Sequence, residues 1–106
     1  KIVNLNNRAL GMVKQWQDMQ YGGRYSSISY EDSLPDFVKL AESFGHVGLK
    51  VEKFSELNSA MEEAFSLKDR LVFLDVLIDP DEHVYPMLEA GGSMSEMRIS
   101  KKDKTF

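Results

Sequence analysis

Apolar residues along the chain change period several times, and each change predicts an element. Ile2 to Leu5 reads as the end of a strand. Met12, Trp16 and Met19 then fall at spacings of four and three, the signature of one face of a short helix over Gly11 to Met19. Tyr21-Gly22-Gly23-Arg24-Tyr25-Ser26-Ser27 is loop chemistry, with two glycines and two turn-favouring serines. A second helix is signed by Ser33 as N-cap, Pro35 in the first turn and Asp36 near the positive end of the dipole. Phe37, Leu40, Ala41 and Phe44 follow at i, i+3, i+4 and i+7, and Gly45 is placed to stop it.

Val47, Leu49 and Val51 alternate, which predicts a strand over about His46 to Glu52. Ser55 is the expected cap of a third helix with Leu57, Ala60, Met61, Ala64 and Phe65 on one stripe. Leu71 to Ile78 is almost continuously apolar, as in a central parallel strand buried on both faces, and Asp79-Pro80-Asp81 stops it. The remainder is rich in Gly, Ser, Met and Lys and has no clear period. Strand, helix, helix, strand, helix, strand predicts an α/β fold: a parallel sheet between flanking helices in three layers. A sheet of three strands leaves edges that normally pair with more chain. The chain opens on Lys1 and enters a strand at once, so we expect a piece of a larger domain.

With 106 residues, 42% of them hydrophobic and 28% charged, the composition is that of an ordinary globular domain. A net charge of −4 provides no basic stripe for nucleic acid. No apolar run is long enough to span a bilayer, and no signal-peptide pattern opens the chain. The absence of cysteine removes disulfides, thiolate metal sites and Cys nucleophiles, and is compatible with a cytoplasmic setting. His46 and His83 have no Cys or spaced carboxylate partners that would make a zinc site. Glu62-Glu63 and Asp79-Asp81-Glu82 read as a solvated helix face and a strand-end turn. No P-loop, Gly-x-Ser-x-Gly or dinucleotide fingerprint is present.

The segment with chemical content is Asn6-Asn7-Arg8-Ala9-Leu10-Gly11-Met12-Val13-Lys14-Gln15-Trp16-Gln17. An Asn oxygen at the carboxyl end of a strand is a hard neutral ligand suited to Mg2+, placed where open α/β sheets bind ligands. Taken alone, the Asn pair reads as a turn in preference to a metal site, and Met12 and Trp16 as packing residues in preference to a channel wall. As an ordered set with Leu34-Pro35-Asp36-Phe37-Val38-Lys39-Leu40-Ala41-Glu42 and Val84-Tyr85-Pro86-Met87, however, the segment resembles the acetohydroxyacid (acetolactate) synthase catalytic subunit. The likeness is to the C-terminal half of its thiamine-diphosphate-binding domain and covers Lys1 to about Met97.

That resemblance implies a domain half over residues 1–80 and a C-terminal arm over 81–106. It places Mg2+ on the Asn7 side chain and the Ala9 carbonyl, and the cofactor against Asn7, Gly11 and Met12. Met12 and Trp16 would line the substrate channel. Trp16, Ala90 and Gly91 would lie near the family's inhibitor site, and the loop from Tyr21 to Ser29 would be a mobile cover. The family's upstream Gly-Asp-Gly, which completes the metal site, is not in this sequence. No catalytic residue is therefore assigned, and the chain is expected to be inactive alone. The whole protein would use thiamine diphosphate, Mg2+ and FAD. It would decarboxylate pyruvate and join it to pyruvate or 2-ketobutyrate, in branched-chain amino-acid biosynthesis. A homodimer or homotetramer with a small regulatory subunit, in a bacterial cytoplasm, is the implied assembly. The alternatives are another thiamine-diphosphate carboligase or decarboxylase, against which Gln15-Trp16-Gln17 argues, and a cofactor-free α/β interaction module.

Overall fold

A computed structural model describes residues 1–30 and 32–102. The chain forms two compact units, one from Lys1–Ala9 with Ser29–Pro80, the other from Leu10–Ile28 with the stretch that begins at Asp81. The first unit holds strands β1 (Ile2–Asn6), β2 (Val47–Val51) and β3 (Val72–Leu77). All pair in parallel in the order β1-β3-β2, so the most apolar strand lies in the middle, as its sequence predicts. The second unit contains helix α1 (Gly11–Tyr21), while helices α2 (Phe37–Ser43) and α3 (Leu57–Ser66) belong with the sheet.

Strand alternation divides the sheet chemically. One face carries Leu49, Val51, Leu74 and Val76, which pack with Leu57, Ala60 and Met61 of α3. Burying Val51, Leu74 and Val76 contributes about 1.5–3 kcal/mol each. The opposite face carries Asn4, Asn6, Gly48, Lys50, Phe73 and Asp75, and α2 lies over part of it. Phe37 stacks on Phe73 with centroids 5.6 Å apart and planes 9° from parallel. Gly48 lets the helix approach: a Cβ there would come within 2.6 Å of the Val38 backbone. The two helices on opposite faces complete the expected three layers.

Two helix caps differ from the sequence expectation. Asp36, not Ser33, caps α2; its Oδ1 accepts from Lys39 N at 3.1 Å. The Ser33 and Leu34 amides instead both donate to Tyr30 O, forming a turn. Pro35 disfavours helical geometry at Leu34, so the helix starts after it. Nor does Ser55 cap α3. It lies in a 3-10 turn, Phe54–Glu56, that runs into the helix, and Glu56 Oε2 accepts from Glu52 N and Lys53 N at 3.0 and 3.1 Å. The ionised carboxylate makes charge-assisted bonds to both amides, stronger than a neutral hydroxyl would make. Gly45 does end α2, at φ 75.

In the second unit α1 runs two residues beyond Met19 before Gly22, at φ 60, turns the chain. The aperiodic C-terminal stretch is ordered by means other than periodic packing. Met87 and Arg98 exchange two backbone hydrogen bonds of 2.8 Å, and Glu96 Oε2 accepts from Ser93 N at the start of the 3-10 turn Met94–Glu96. Among the described residues no helix is long and apolar enough to cross a membrane.

Gly48→Ala is expected to cost about 1–3 kcal/mol by forcing α2 off the sheet. A lowered urea midpoint with the helical CD signal retained would register it. An unchanged midpoint would mean that α2 can move away without loss.

Candidate functional site

Asp75 sits at the middle of the central strand and is 4% exposed. Its two oxygens accept from Asn4 Nδ2 at 2.7 Å and Asn6 Nδ2 at 3.2 Å. β1 is thus held to β3 by side chains as well as by its ladder. The Asn6 side chain also looks forward, its Oδ1 accepting from Arg8 N at 3.0 Å. The Asn7 Oδ1 repeats the pattern one residue on and accepts from Ala9 N at 3.1 Å. Two successive Asn-based turns therefore reverse the chain at the carboxyl end of β1. Between them Arg8 lies in the left-handed region, φ 56, which costs a non-glycine residue about 1 kcal/mol or more. That strained conformation is a feature the residue types alone do not reveal.

Asn7 and Ala9 are brought into one turn by the bond between Ala9 N and Asn7 Oδ1. Ala9 bridges to Ser29 in antiparallel fashion, and the flanking bonds use Arg8 O and Ile28 O. Neither bond uses the Ala9 carbonyl. The Asn7 oxygen, having accepted one hydrogen bond, keeps a second lone pair. In the same unit a cavity of about 460 Å³ is lined by Asn6, Arg8, Asp36, Phe37, Lys50 and Asp75, among others. Among the described residues no group of three or more His, Cys, Asp or Glu is arranged to hold a metal.

Gly11, Met12 and Trp16 lie on α1 in the second unit. Met12 is 47% exposed and Trp16 half-buried. The buried residues of this helix are polar: Lys14 and Gln15. Lys14 Nζ donates to Asp81 Oδ1 at 2.5 Å, Tyr25 OH at 3.1 Å and Asp18 Oδ2 at 3.2 Å, and lies 4.7 Å from the Tyr25 ring centre. Asp18 also accepts from Tyr25 OH and is bonded to His83 Nε2 at 2.7 Å. The sequence reading left His83 without a role; here its imidazole is buried against a carboxylate. Only the Lys14/Asp18 i, i+4 spacing advertised this network. Ala90 and Gly91 are exposed, with Gly91 at φ 83, and Glu62 and Glu63 face solvent.

Burial opposes the Lys14 charge, but its hydrogen bonds to Asp81, Tyr25 and Asp18 outweigh that and raise its pKa above the usual lysine range. Burial likewise works against ionised Asp18, and donors on Tyr25, His83 and Lys14 outweigh it, lowering its pKa. Lys14 lowers that of Asp81 through a hydrogen bond. Depressed carboxylates add stability above the unfolded value of about 4 and lose it as the pH falls through the folded values. The raised lysine adds stability that goes only as the pH rises through its own value. The second unit is therefore expected to loosen on acidification below about pH 4 and to hold well into the alkaline range. Limited proteolysis after Arg24 or Arg98 across pH reads this out. Lys14→Met is expected to flatten the acid dependence, and an undiminished dependence would point to other carboxylates.

Residues 1–76 match the family described as thiamine pyrophosphate enzyme, C-terminal TPP binding domain. The chain is 59% identical over 100 residues to an acetolactate synthase large subunit of Haemophilus influenzae, covering 94% of this chain and 17% of that protein. It is 58% identical over 106 residues to the acetolactate synthase isozyme 3 large subunit of Escherichia coli K12, covering 98% of this chain and 18% of that one. A Corynebacterium glutamicum acetolactate synthase large subunit is 41% identical over 103 residues. The chain thus spans less than a fifth of the length of these relatives. The polar turn at the end of a parallel strand, the three-layer sheet and these similarities agree: the chain belongs to the thiamine pyrophosphate enzymes and carries their C-terminal cofactor-binding domain.

Proposed function

We propose that the chain serves an acetolactate synthase. The whole protein decarboxylates pyruvate and condenses it with pyruvate or 2-ketobutyrate, in branched-chain amino-acid biosynthesis. The observation that carries the site assignment is the strained Asn6–Ala9 turn, in which the Asn7 side-chain oxygen accepts from Ala9 N, keeps a second lone pair and shares one turn with the Ala9 carbonyl. Uncharged oxygens suit Mg2+, which keeps near-octahedral oxygen geometry and is usually shared between protein and phosphate. Asn7 and Ala9 supply two such ligands and fit the ion as a partial shell; the others come from outside this chain.

When bound, thiamine diphosphate supplies the carbon nucleophile and the electron sink for 2-ketoacid chemistry. This chain's residues position and enclose it. Asn7 would hold the metal that goes with the diphosphate, and Gly11 and Met12 would contact the cofactor. Met12 and Trp16 wall the channel by which the second ketoacid enters. A large flat side chain there discriminates one methylene, worth about 1–3 kcal/mol in an apolar pocket. Trp16, Ala90 and Gly91 form the inhibitor contact. Residues 1–80 act as the C-terminal half of the cofactor domain and 81–106 as an arm. The protein works in the cytoplasm as a homodimer or homotetramer with a small regulatory subunit. FAD is held by another domain. The names of the relatives support the large-subunit reading.

Full-length protein supplied with thiamine diphosphate, Mg2+ and FAD is expected to form acetolactate from pyruvate, and this chain alone to form none. A folded, loaded parent that makes no acetolactate would remove the substrate assignment. Asn7→Ala is expected to raise the Mg2+ and cofactor concentrations for half-saturation by about tenfold or more; unchanged values would take Asn7 out of the site. Trp16→Leu is expected to alter the choice between pyruvate and 2-ketobutyrate as acceptor.

A further inference from the structure

Gln15 and Gln17 flank Trp16, and both use the same bonding pattern. Gln15 Nε2 donates to Val84 O at 2.8 Å, and Gln15 Oε1 accepts from Val84 N at 2.9 Å. Gln17 Nε2 donates to Ser26 O at 3.2 Å, and its Oε1 accepts from Ser26 N at 3.1 Å. A carboxamide presents an acceptor and a donor side by side, as the edge of a strand does. Each glutamine therefore pairs with one backbone residue at both of its polar groups and fixes that residue's register.

The pairing is specific in a way that packing is not. Gln15 is 1% exposed, among the largest fully buried side chains of the chain. A leucine would fill much of that space without the cost of burying an amide. It would not hold Val84 in register. Gln17 holds Ser26 immediately before Ser27, which is kept at φ 55, a conformation that persists only when its surroundings fix it. Leu10 N donates to Ile28 O at 3.0 Å and closes the far side of the same loop.

At about 100° per residue, positions 15 and 17 point about 200° apart around α1, with position 16 between them. One glutamine thus ties the C-terminal stretch to one side of the helix, and the other ties the 21–28 loop to the other side. We propose that Gln15 and Gln17 are positioning residues for acceptor selectivity: they fix the two segments that bracket Trp16 and so set the space beside its indole. The proposal rests on the acceptor-selecting role given to Trp16 above.

The test is internal competition in the full-length enzyme. Pyruvate and 2-ketobutyrate are supplied together, and the ratio of acetohydroxybutyrate to acetolactate is measured for Gln15→Ala, Gln17→Ala, Trp16→Leu and the two Gln/Trp double variants. The ratio is independent of how much active enzyme is present, so a merely structural loss does not move it. Each glutamine variant is expected to shift it about threefold or more in the direction of Trp16→Leu, a part of the roughly tenfold or greater discrimination that one methylene allows. Adding either to Trp16→Leu is expected to shift it little further. If an alanine variant gives no folded enzyme, Gln15→Glu and Gln17→Glu, which keep the acceptor and lose the donor, are read by the same criterion. Parental ratios in the glutamine variants, with a shifted ratio in Trp16→Leu, would overturn the proposal and leave the role of Trp16 intact. A parental ratio in Trp16→Leu itself would remove the reading beneath it.

Discussion

A carboxylate buried in the middle of a central strand must be given donors, and in the first unit that requirement organises the site. Asp75 lies at the register position shared with Asn4 on one side and Lys50 on the other. Its desolvated oxygens are satisfied by two asparagine amides of β1. Leaving buried donors or acceptors unsatisfied costs more than a satisfied bond gains, so the three side chains stand or fall together. Because Asn6 is one of the three, its other end is free to catch the Arg8 amide and begin the turn. The Asn6–Ala9 turn is thus an extension of the sheet's internal hydrogen bonding, built on a rigid element.

The opposite face of the same sheet is handled by bulk. Leu74, Val76 and Val51 meet α3 through apolar contact alone. One sheet therefore divides its side chains by pleat: apolar packing toward α3, and on the other face a polar Asn–Asp set beside the Phe37–Phe73 stack. The second unit uses charge and amides where the first uses apolar area. Lys14, Asp18, Tyr25, Asp81 and His83 form a connected polar set, and such sets fix arrangement more sharply than they add stability.

Most of the fold was legible. Period and composition placed the three strands, the three helices and the central position of β3. The caps were misread because Ser, Asp and Glu compete for the same backbone donors, and Pro35 and the Glu56 carboxylate, one oxygen of which takes two amides, decided the matter locally. The family match rests on residues whose order the sequence displays openly. What lay hidden was long-range: Asp75 with Asn4, Lys14 with Asp81, Gln15 with Val84. These pairs are separated by 67 or more residues, so no local pattern announces them. Arg8 was hidden for another reason, since its type gives no hint of a positive φ. The C-terminal stretch lacks a period because what orders its described residues is individual contacts: the Met87–Arg98 bridge, side-chain caps and bonds to Lys14, Gln15 and Asp18.

The amide pairings on α1 bear on motion as well. Val84 and Ser26 give their N–H groups to side chains, with no ladder or helix holding them. Such a bond breaks when one glutamine rotates or one segment lifts, while α1 keeps every turn intact. In hydrogen-exchange terms these two amides belong to small opening units beneath the global one. Either glutamine bond can therefore open by itself while Lys14 and Asp18, bonded to Tyr25 of the loop and to Asp81 and His83 of the C-terminal stretch, still tether both segments to one helix.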